Sequence, residues 1–399
     1  MRHPRVVRPV ILAILILGVA SLSKTARSPH RITAPAQSQG LNFSTTTYNV
    51  SSGNEFVTNV ALGDFNGDGY PDIAAADQVI NDGNLEISLN QGDGTFGPFT
   101  AFPATGIPQS LVVADFDGDG ALDIAVTDFY SGELGIFFGN GDGTFQPEVT
   151  YINGAGKPAV GDFNHDGKPD LVFAYGPNEV SVLLNKGGRK FGEPQTYPTG
   201  MQPAGVAVAD MNNDGNQDLI VAEVYGGVHQ DGAVGVLLGN GDGTFQAEGD
   251  FGILSFGNTA LAVADFNGDG NLDVVTNGYT QNYELGVGSL ITLRGRGNGG
   301  LIKPTVYRDV KGYVMQYVTA DFNGDGNADL AAPDAAAGAD IYLGTGKATF
   351  DPKVPIGTSN PVAYMTTGFL RNQGPGYADI VAAGPGTNVT VFLNQTAAK

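Results

Sequence analysis

Cysteine is absent from the 399 residues, histidine occurs four times, and lysine plus arginine total only 20. The first absence removes disulfides, thiolate zinc sites and cysteine nucleophiles together, so a bound metal must be held by oxygen or by those few imidazoles. Scarce basic residues argue against nucleic acid, whose phosphates are gripped by lysine and arginine. Against them stand 41 aspartates and glutamates, for a formal net charge of −21. Glycine is the opposite case, with 60 residues, about twice its usual share of roughly 7%. A hydrophobic share of 41% suffices for a sizeable core, so the chain reads as globular, turn-rich and acidic.

Arg2, Arg5 and Arg8 precede an apolar run from Val10 to Ala20, followed by small and polar residues that include Ser21, Ser23 and Ala26. This order is that of a secretory signal peptide over residues 1–26, with a flexible leader over 27–40 and the mature domain over 41–399. The run of 11 residues is short of the roughly 20 that cross a bilayer as a helix, so no membrane span is expected once the signal is removed. An uncleaved anchor is the alternative. The expected location is secreted, extracellular or periplasmic, in a bacterium.

The chain repeats itself. DFNGDGYPD, beginning at Asp64, returns as DFDGDGALD at Asp115, DFNHDGKPD at Asp162, DMNNDGNQD at Asp210, DFNGDGNLD at Asp265 and DFNGDGNAD at Asp321, at spacings of 51, 47, 48, 55 and 56 residues. A seventh, eroded copy over 368–380 places Asp379 50 residues after Asp329. Seven units of about 51 residues fill 41–399. In the second unit, β-branched runs and glycine turns mark four short strands, at 110–116, 123–128, 133–139 and 144–151. No helical period of comparable length follows the signal. The expected fold is all-β, a seven-bladed β-propeller of four-stranded antiparallel blades. The seventh unit stops after its third strand, 389–395, whereas 41–50 reads like a fourth strand. The N-terminal strand is therefore expected to pair into the last blade and close the ring, which avoids an exposed edge. An open superhelix of the same units is the competing architecture.

Six copies fit D-x-[DN]-x-D-G-x-x-D. Side-chain oxygens at alternate positions point inward, and glycine at position six lets the chain turn sharply around an ion. The all-oxygen set suits Ca²⁺ and crowds strongly hydrated Mg²⁺. Loop one would offer Asp64, Asn66, Asp68, Asp72 and the carbonyl of Tyr70. Loop two would offer Asp115, Asp117, Asp119, Asp123 and the carbonyl of Ala121, and loop three Asp162, Asn164, Asp166, Asp170 and the carbonyl of Lys168. Loop four would use Asp210, Asn212, Asp214, Asp218 and the carbonyl of Asn216, and loop five Asp265, Asn267, Asp269, Asp273 and the carbonyl of Asn271. Loop six would use Asp321, Asn323, Asp325, Asp329 and the carbonyl of Asn327. About six Ca²⁺ are expected, one per intact loop. None is expected in blade seven, where Arg371, Asn372 and Gln373 stand in place of acids.

An EF-hand would need a bidentate glutamate at position twelve, where these loops carry Ala75, Val126, Phe173, Val221, Thr276 and Ala332. Plain Asp-Gly turns would leave crowded carboxylates repelling one another by roughly 1 to 4 kcal/mol per pair at ~4 Å. The six loops hold 19 of the 41 acidic residues, so nearly half the acidity belongs to them. The segments GNGDGTF at 139–145 and 239–245 and QGDGTF at 91–96 lack the last aspartate and read as hairpins between the third and fourth strands. Phe65, Phe116, Phe163, Phe266 and Phe322, with Met211 as substitute, are expected to fill the space between blades.

The block ADFNGDGxxDI(A/V), followed by VxVLLGNGDGTF, resembles the FG-GAP/VCBS repeats of secreted bacterial proteins and, more distantly, the N-terminal propeller of integrin α subunits. The resemblance spans 41–399. It implies Ca²⁺ in the loop joining the first two strands of a blade. It also implies service in adhesion or in carbohydrate or protein binding, in some members beside catalytic domains.

In such blades the turns after strands one and three emerge on one face, and those after strand two and between blades on the other. Loops of varied sequence at 75–84, 129–133, 223–232 and 277–286 therefore lie opposite the calcium face. Phe129, Tyr130, Tyr175, Tyr225, Tyr279 and Tyr283 are candidate platforms there for a sugar or protein. No GxSxG, HExxH or phosphate loop occurs, and of the histidines only His165 and His229 fall in the mature domain, His165 at a solvated, non-ligand position. The expected function is that of a monomeric calcium-binding recognition or adhesion module for an extracellular carbohydrate or protein, not an enzyme. The alternative is a polysaccharide lyase or hydrolase built on the central channel, since carboxylates and tyrosines need no fixed spacing. Perturbed acids or bases at the channel mouth would favour that alternative, and a wide polar and aromatic surface would favour recognition.

Overall fold

The second strand of every unit is apolar at consecutive positions, which in a strand means that both of its faces are buried. The computed structural model shows what buries them. It describes residues 40–50, 56–78, 83–128, 131–151, 156–225, 231–253, 255, 257, 259–279, 288–310, 314, 316–334, 338–357, 361–371, 377–384 and 386–396. The expected signal and leader up to residue 39, with Phe129, Tyr130, His229, Tyr283, Asn372 and Gln373, lie outside the described residues, as do the side chains of Tyr175 and Tyr279.

Among the described residues, twenty-eight strands, numbered β1 to β28 in chain order, form seven four-stranded antiparallel sheets, the blades of a β-propeller. Blade one is β2 (Phe56–Gly63), β3 (Asp72–Gln78), β4 (Asn84–Ser88) and β5 (Thr100–Pro103). The first strands of the next six blades are β6 (Pro108–Ala114), β10 (Lys157–Gly161), β14 (Met201–Ala209), β18 (Leu261–Ala264), β22 (Val318–Ala320) and β26 (Tyr364–Gly368). Each of these seven lies against the next, and β26 lies against β2, where an open superhelix would leave them apart. Blade seven is completed by the start of the chain. There β1 (Phe43–Asn49) pairs antiparallel with β28 (Asn388–Asn394), Phe43 opposite Asn394 and Asn49 opposite Asn388.

Seven apolar clusters, each filled by two adjacent blades, make the core of the described residues. Along β3, Ile73 and Ala75 face blade seven while Ala74 and Ala76 face blade two, so strand alternation feeds two interfaces from one strand. The cluster joining the last and first blades holds Val57, Val60, Ile73 and Phe96 with Leu370, Val381, Val389 and Val391. Full burial of such side chains contributes about 1.5–3 kcal/mol each.

The motif aromatics lie between blades. Phe65 meets Phe145 of blade two edge-on at 5.5 Å, and Phe163 and Phe266 meet Phe245 and Phe350 in the same way at 5.4 Å. A third ring, from the fourth strand of the earlier blade, completes each set: Phe102, Tyr197 and Tyr307.

In blade two the first strand lies two residues earlier than expected, at 108–114, the third is shorter, at 134–137, and the largest difference is in the fourth. Its strands are β6, β7 (Asp123–Asp128), β8 (Leu134–Phe137) and β9 (Val149–Tyr151), so the fourth begins five residues later than expected. The hairpin takes up those residues: Gly139 bridges Phe145, the Gln146 N–H donates to the carbonyl of Phe138, and Pro147 has no N–H to give a ladder. Finally, the seven first strands and the residues just before them line a central cavity of about 480 Å³.

Candidate metal loops and their setting

Each of the six intact loops joins the first two strands of its blade, and the ninth-position aspartate is the first residue of the second strand. Glycine at position six takes the left-handed backbone throughout, from φ 77° at Gly167 to φ 92° at Gly120. A Cβ at these glycines would meet nothing within 4 Å, so conformation, not space, demands glycine.

In loop one, Asp64 accepts the N–H of Asp68 at 3.1 Å and of Gly69 at 2.8 Å, which folds the loop around the first carboxylate. Asn66 Oδ1 accepts the Asp68 N–H and Asp68 Oδ1 the Tyr70 N–H, both at 2.9 Å. The first-position bonds recur at Asp115, Asp162, Asp210, Asp265 and Asp321.

The ninth-position residues Asp72, Asp123, Asp170, Asp218, Asp273 and Asp329 are fully buried. Asp72 accepts two backbone N–H groups, from Phe65 at 2.9 Å and from Asn90, just past the third strand, at 2.8 Å. Asp123, Asp170, Asp218 and Asp329 make the same pair of bonds. Asp273 accepts the Gly295 N–H at 2.8 Å together with the Asn267 amide. These aspartates thus clamp the loop to the end of the third strand, beside it at the same end of its own blade. The sequence pattern names them as ligands and gives no sign of this second task.

Burial pushes the carboxyls of Asp72, Asp123, Asp170 and Asp273 up from 3.8 to about 6 and that of Asp329 to about 7, and it raises Asp218 as well. Neighbouring loop carboxylates push the same way, and the backbone bonds pull back. At the rim, a hydrogen bond from Lys168 lowers Asp166, and backbone bonds lower Asp214 and Asp269. An ionised carboxylate has about four acceptor sites, so two backbone bonds leave capacity for a cation. In loop two, oxygens of Asp115, Asp117 and Asp123 lie within 4.8 Å of one another. This hard, all-oxygen donor set fits a divalent ion such as Ca²⁺.

Two arginines modify the pattern. Asp117, the extra acid of loop two, receives Arg189 Nε and Nη2 from blade three, each at 2.8 Å, with the guanidinium 4.1 Å from the centre of the Phe138 ring. In blade seven Asp379 keeps the clamp, accepting N–H groups of Leu370 and Asn394, and Arg371 Nη2 sits 2.9 Å from its Oδ1. Leu370 is nine residues before Asp379 where the other loops count seven, so this loop is two residues longer.

The loops also join blade to blade. The position-two carbonyl accepts from the following blade at all seven junctions. At Phe65, Phe163, Met211 and Phe266 the donor is a hairpin N–H, of Gly143, Gly243, Gly299 and Ala348. At Phe116, Phe322 and Leu370 it is the amide of Asn185, Asn394 and Asn90. The GNGDGTF segments are hairpins, as expected, and Asp93, Asp142 and Asp242 accept from both N–H and hydroxyl of the threonine two residues on. His165 is exposed as expected, but it also reaches the next loop, its Nε2 lying 2.9 Å from Asn216 Oδ1.

On the opposite face, Tyr225 alone among the six expected aromatic platforms has a described side chain, and it is half-buried. Burial and the facing Glu248 push the Glu223 carboxyl up to about 9. It accepts the Gly200 N–H at 2.8 Å and does not line the channel.

A family model described as FG-GAP-like repeat matches residues 64–126, 115–173, 162–221 and 222–276, each window holding a loop. The chain belongs to the FG-GAP-like repeat family. Beyond residue 276, blade six repeats the same loop geometry at Asp321 to Asp329. This FG-GAP chain is 26% identical to the T-cell immunomodulatory protein of Rattus norvegicus over 281 residues, which are 66% of this chain and 43% of that protein. It is 26% identical to Integrin alpha pat-2 of Caenorhabditis elegans over 41% of this chain and 17% of that one, and 31% identical to Integrin alpha-4 of Xenopus laevis over 26% and 10%. The chain spans less than half the length of these relatives. The solved structure of BBS1N in complex with ARL6DN aligns over 87% of this chain and 94% of that one, with a TM-score of 0.58 at 13% identity, a likeness of fold. Among the described residues no helix is long and apolar enough to cross a membrane.

Proposed function

We propose that the chain is a secreted, calcium-stabilised FG-GAP propeller that recognises an extracellular carbohydrate or protein. The observation that carries this reading is sixfold: each intact loop sets a buried ninth-position carboxylate, raised by burial, among further carboxylate and amide oxygens. Bound Ca²⁺ would supply the missing positive charge and cross-link each loop. Asp64, Asp68 and Asp72, and their equivalents, would hold it, with the carbonyl at position seven. In blade seven the Arg371 guanidinium serves in place of an ion beside Asp379. Recognition is supported by the integrin alpha relatives; the described channel lining holds no aspartate, glutamate or histidine, and its burial-shifted Lys157 and Tyr364 are the groups that the enzymatic alternative would have to use.

Saturation at 100 times Kd stabilises by about 2.7 kcal/mol per site, so six sites give up to ~16 kcal/mol. Chelation is therefore expected to lower the melting temperature sharply, and an unchanged melt in EDTA overturns the calcium reading. Binding to a glycan array with and without Ca²⁺ tests recognition, and turnover of any arrayed polysaccharide would overturn the non-catalytic reading.

A further inference from the structure

Loop two departs from the other five intact loops at one ligand position, and blade three departs from the other hairpins at the place that faces it. Position three is asparagine in those five loops and Asp117 here, so loop two carries a fourth carboxylate. Two residues before the phenylalanine or leucine that closes each bridged hairpin stand Gly94, Gly143, Gly243, Gly299 and Ala348, but Arg189 in blade three. Arg189 thus takes the left-handed backbone that glycine adopts freely, at φ 62°. Its side chain turns back onto blade two. Nε and Nη2 each lie 2.8 Å from Asp117 Oδ2, Nη1 donates to Gln146 Oε1 at 2.8 Å, and the guanidinium lies over the Phe138 ring. The Asp117 side chain is 6% exposed in this setting. Its Oδ1 accepts the Asp119 N–H at 3.1 Å, the turn bond that Asn66 Oδ1 makes in loop one.

We propose that Arg189 is a fixed counter-cation for loop two, which lets the four-carboxylate loop form without an ion and in doing so holds down its affinity for Ca²⁺. The inference rests on the calcium reading of the loops and names what regulates one of them. Four carboxylates with one guanidinium carry a formal −3, the charge that three carboxylates give each of the other intact loops. Without Arg189, Asp117 would stand nearly buried beside Asp115 and Asp123, with oxygens of the three within 4.8 Å of one another, and only a bound cation would relieve their repulsion. The guanidinium relieves part of it in the ion-free loop and repels an arriving ion. It therefore stabilises the ion-free state more than the bound one, which by linkage weakens binding. An arginine that served to orient Asp117 as a ligand would strengthen binding instead. Orientation is already supplied by the Asp119 N–H, so charge decides the sign.

Hydrogen exchange of the full chain across buffered calcium concentrations, read by mass spectrometry, gives each loop its own midpoint, with loop three as the internal reference. R189G is the decisive variant, because glycine suits the left-handed backbone and stands at this place in four other hairpins. It is expected to lower the calcium midpoint of loop two about tenfold, to leave that of loop three in place, and to reduce protection of loop two in EDTA. R189K keeps the charge and should keep the wild-type midpoint within about threefold. D117N leaves the guanidinium beside three carboxylates without its partner and should raise the midpoint about tenfold, and D117N combined with R189G should restore it. A loop-two midpoint that is unchanged or raised in R189G, or lowered equally in R189K, overturns the proposal while the other loops still respond to calcium. If no loop of the wild-type chain responds, the calcium reading itself fails and the proposal fails with it.

Discussion

Asp329 and Asp325 stand four residues apart in one loop, yet they face different physics. Asp329 is fully buried and accepts the N–H groups of Phe322 and Gly344, whereas Asp325 is exposed at the rim. Asp329→Ala should cost about 2–5 kcal/mol in urea denaturation even in EDTA, because two buried donors lose their acceptor. Asp325→Asn should cost little in EDTA and remove one bound Ca²⁺. The sequence names both residues through one alternating pattern, which is blind to burial, so the candidate ligands were legible and the clamp was not. Glu223 and Glu248 lay further out of reach, since nothing in a 25-residue separation says that two carboxyls share a pocket. The Glu223 carboxyl is raised from 4.5 to about 9 by burial, so its contribution to stability is complete below about 4.5 and is lost as pH rises through about 9. Glu223→Gln should therefore flatten the fall in melting temperature between pH 7 and pH 10, and an unchanged slope would contradict the shared pocket.

Blades and turns were easier to read, because period-two alternation and glycine hairpins are written locally. Four strands per unit, the hairpin after the third and the packing of the motif phenylalanines all follow from residue order. The late start of β9 does not, because Thr144 and Phe145 carry strand-forming side chains while their backbone serves the hairpin. Nor does the choice between glycine and asparagine just past the third strand. A Cβ at Gly139 would stand 2.3 Å from the carbonyl of Leu122, so that blade bonds its neighbour through a hairpin N–H, whereas Asn90, Asn185 and Asn394 reach across with their amides. Phe163, buried against Phe245, tests this element directly: Phe163→Ala should cost about 3–5 kcal/mol by chemical denaturation. Asn185→Ala should cost about 1–3 kcal/mol, the penalty for leaving the Phe116 carbonyl without its partner.

The whole molecule is a ring of like units whose interfaces are its core, and that makes it more legible than a fold with one irregular centre. Counting motifs gave seven blades, and the orphan third strand at 389–395 pointed to the strand at the other end of the chain. Removing residues 41–50 should lower the melting temperature and promote association, because β28 then presents an unpaired edge and Phe96 loses the ring of Tyr48. The channel was not legible, since Lys157 and Thr259 are 102 residues apart and meet only once the ring is formed. The acidity also acquires its sense at this scale, with 19 carboxylates gathered in loops that all follow a blade's first strand, on one face. The direct test is to count ions by native mass spectrometry of the chain equilibrated with calcium, together with the Asp68→Asn, Asp119→Asn, Asp166→Asn, Asp214→Asn, Asp269→Asn and Asp325→Asn variants. The account predicts six Ca²⁺ per chain and one fewer in each variant. A fully folded chain that stays metal-free at millimolar calcium would contradict it.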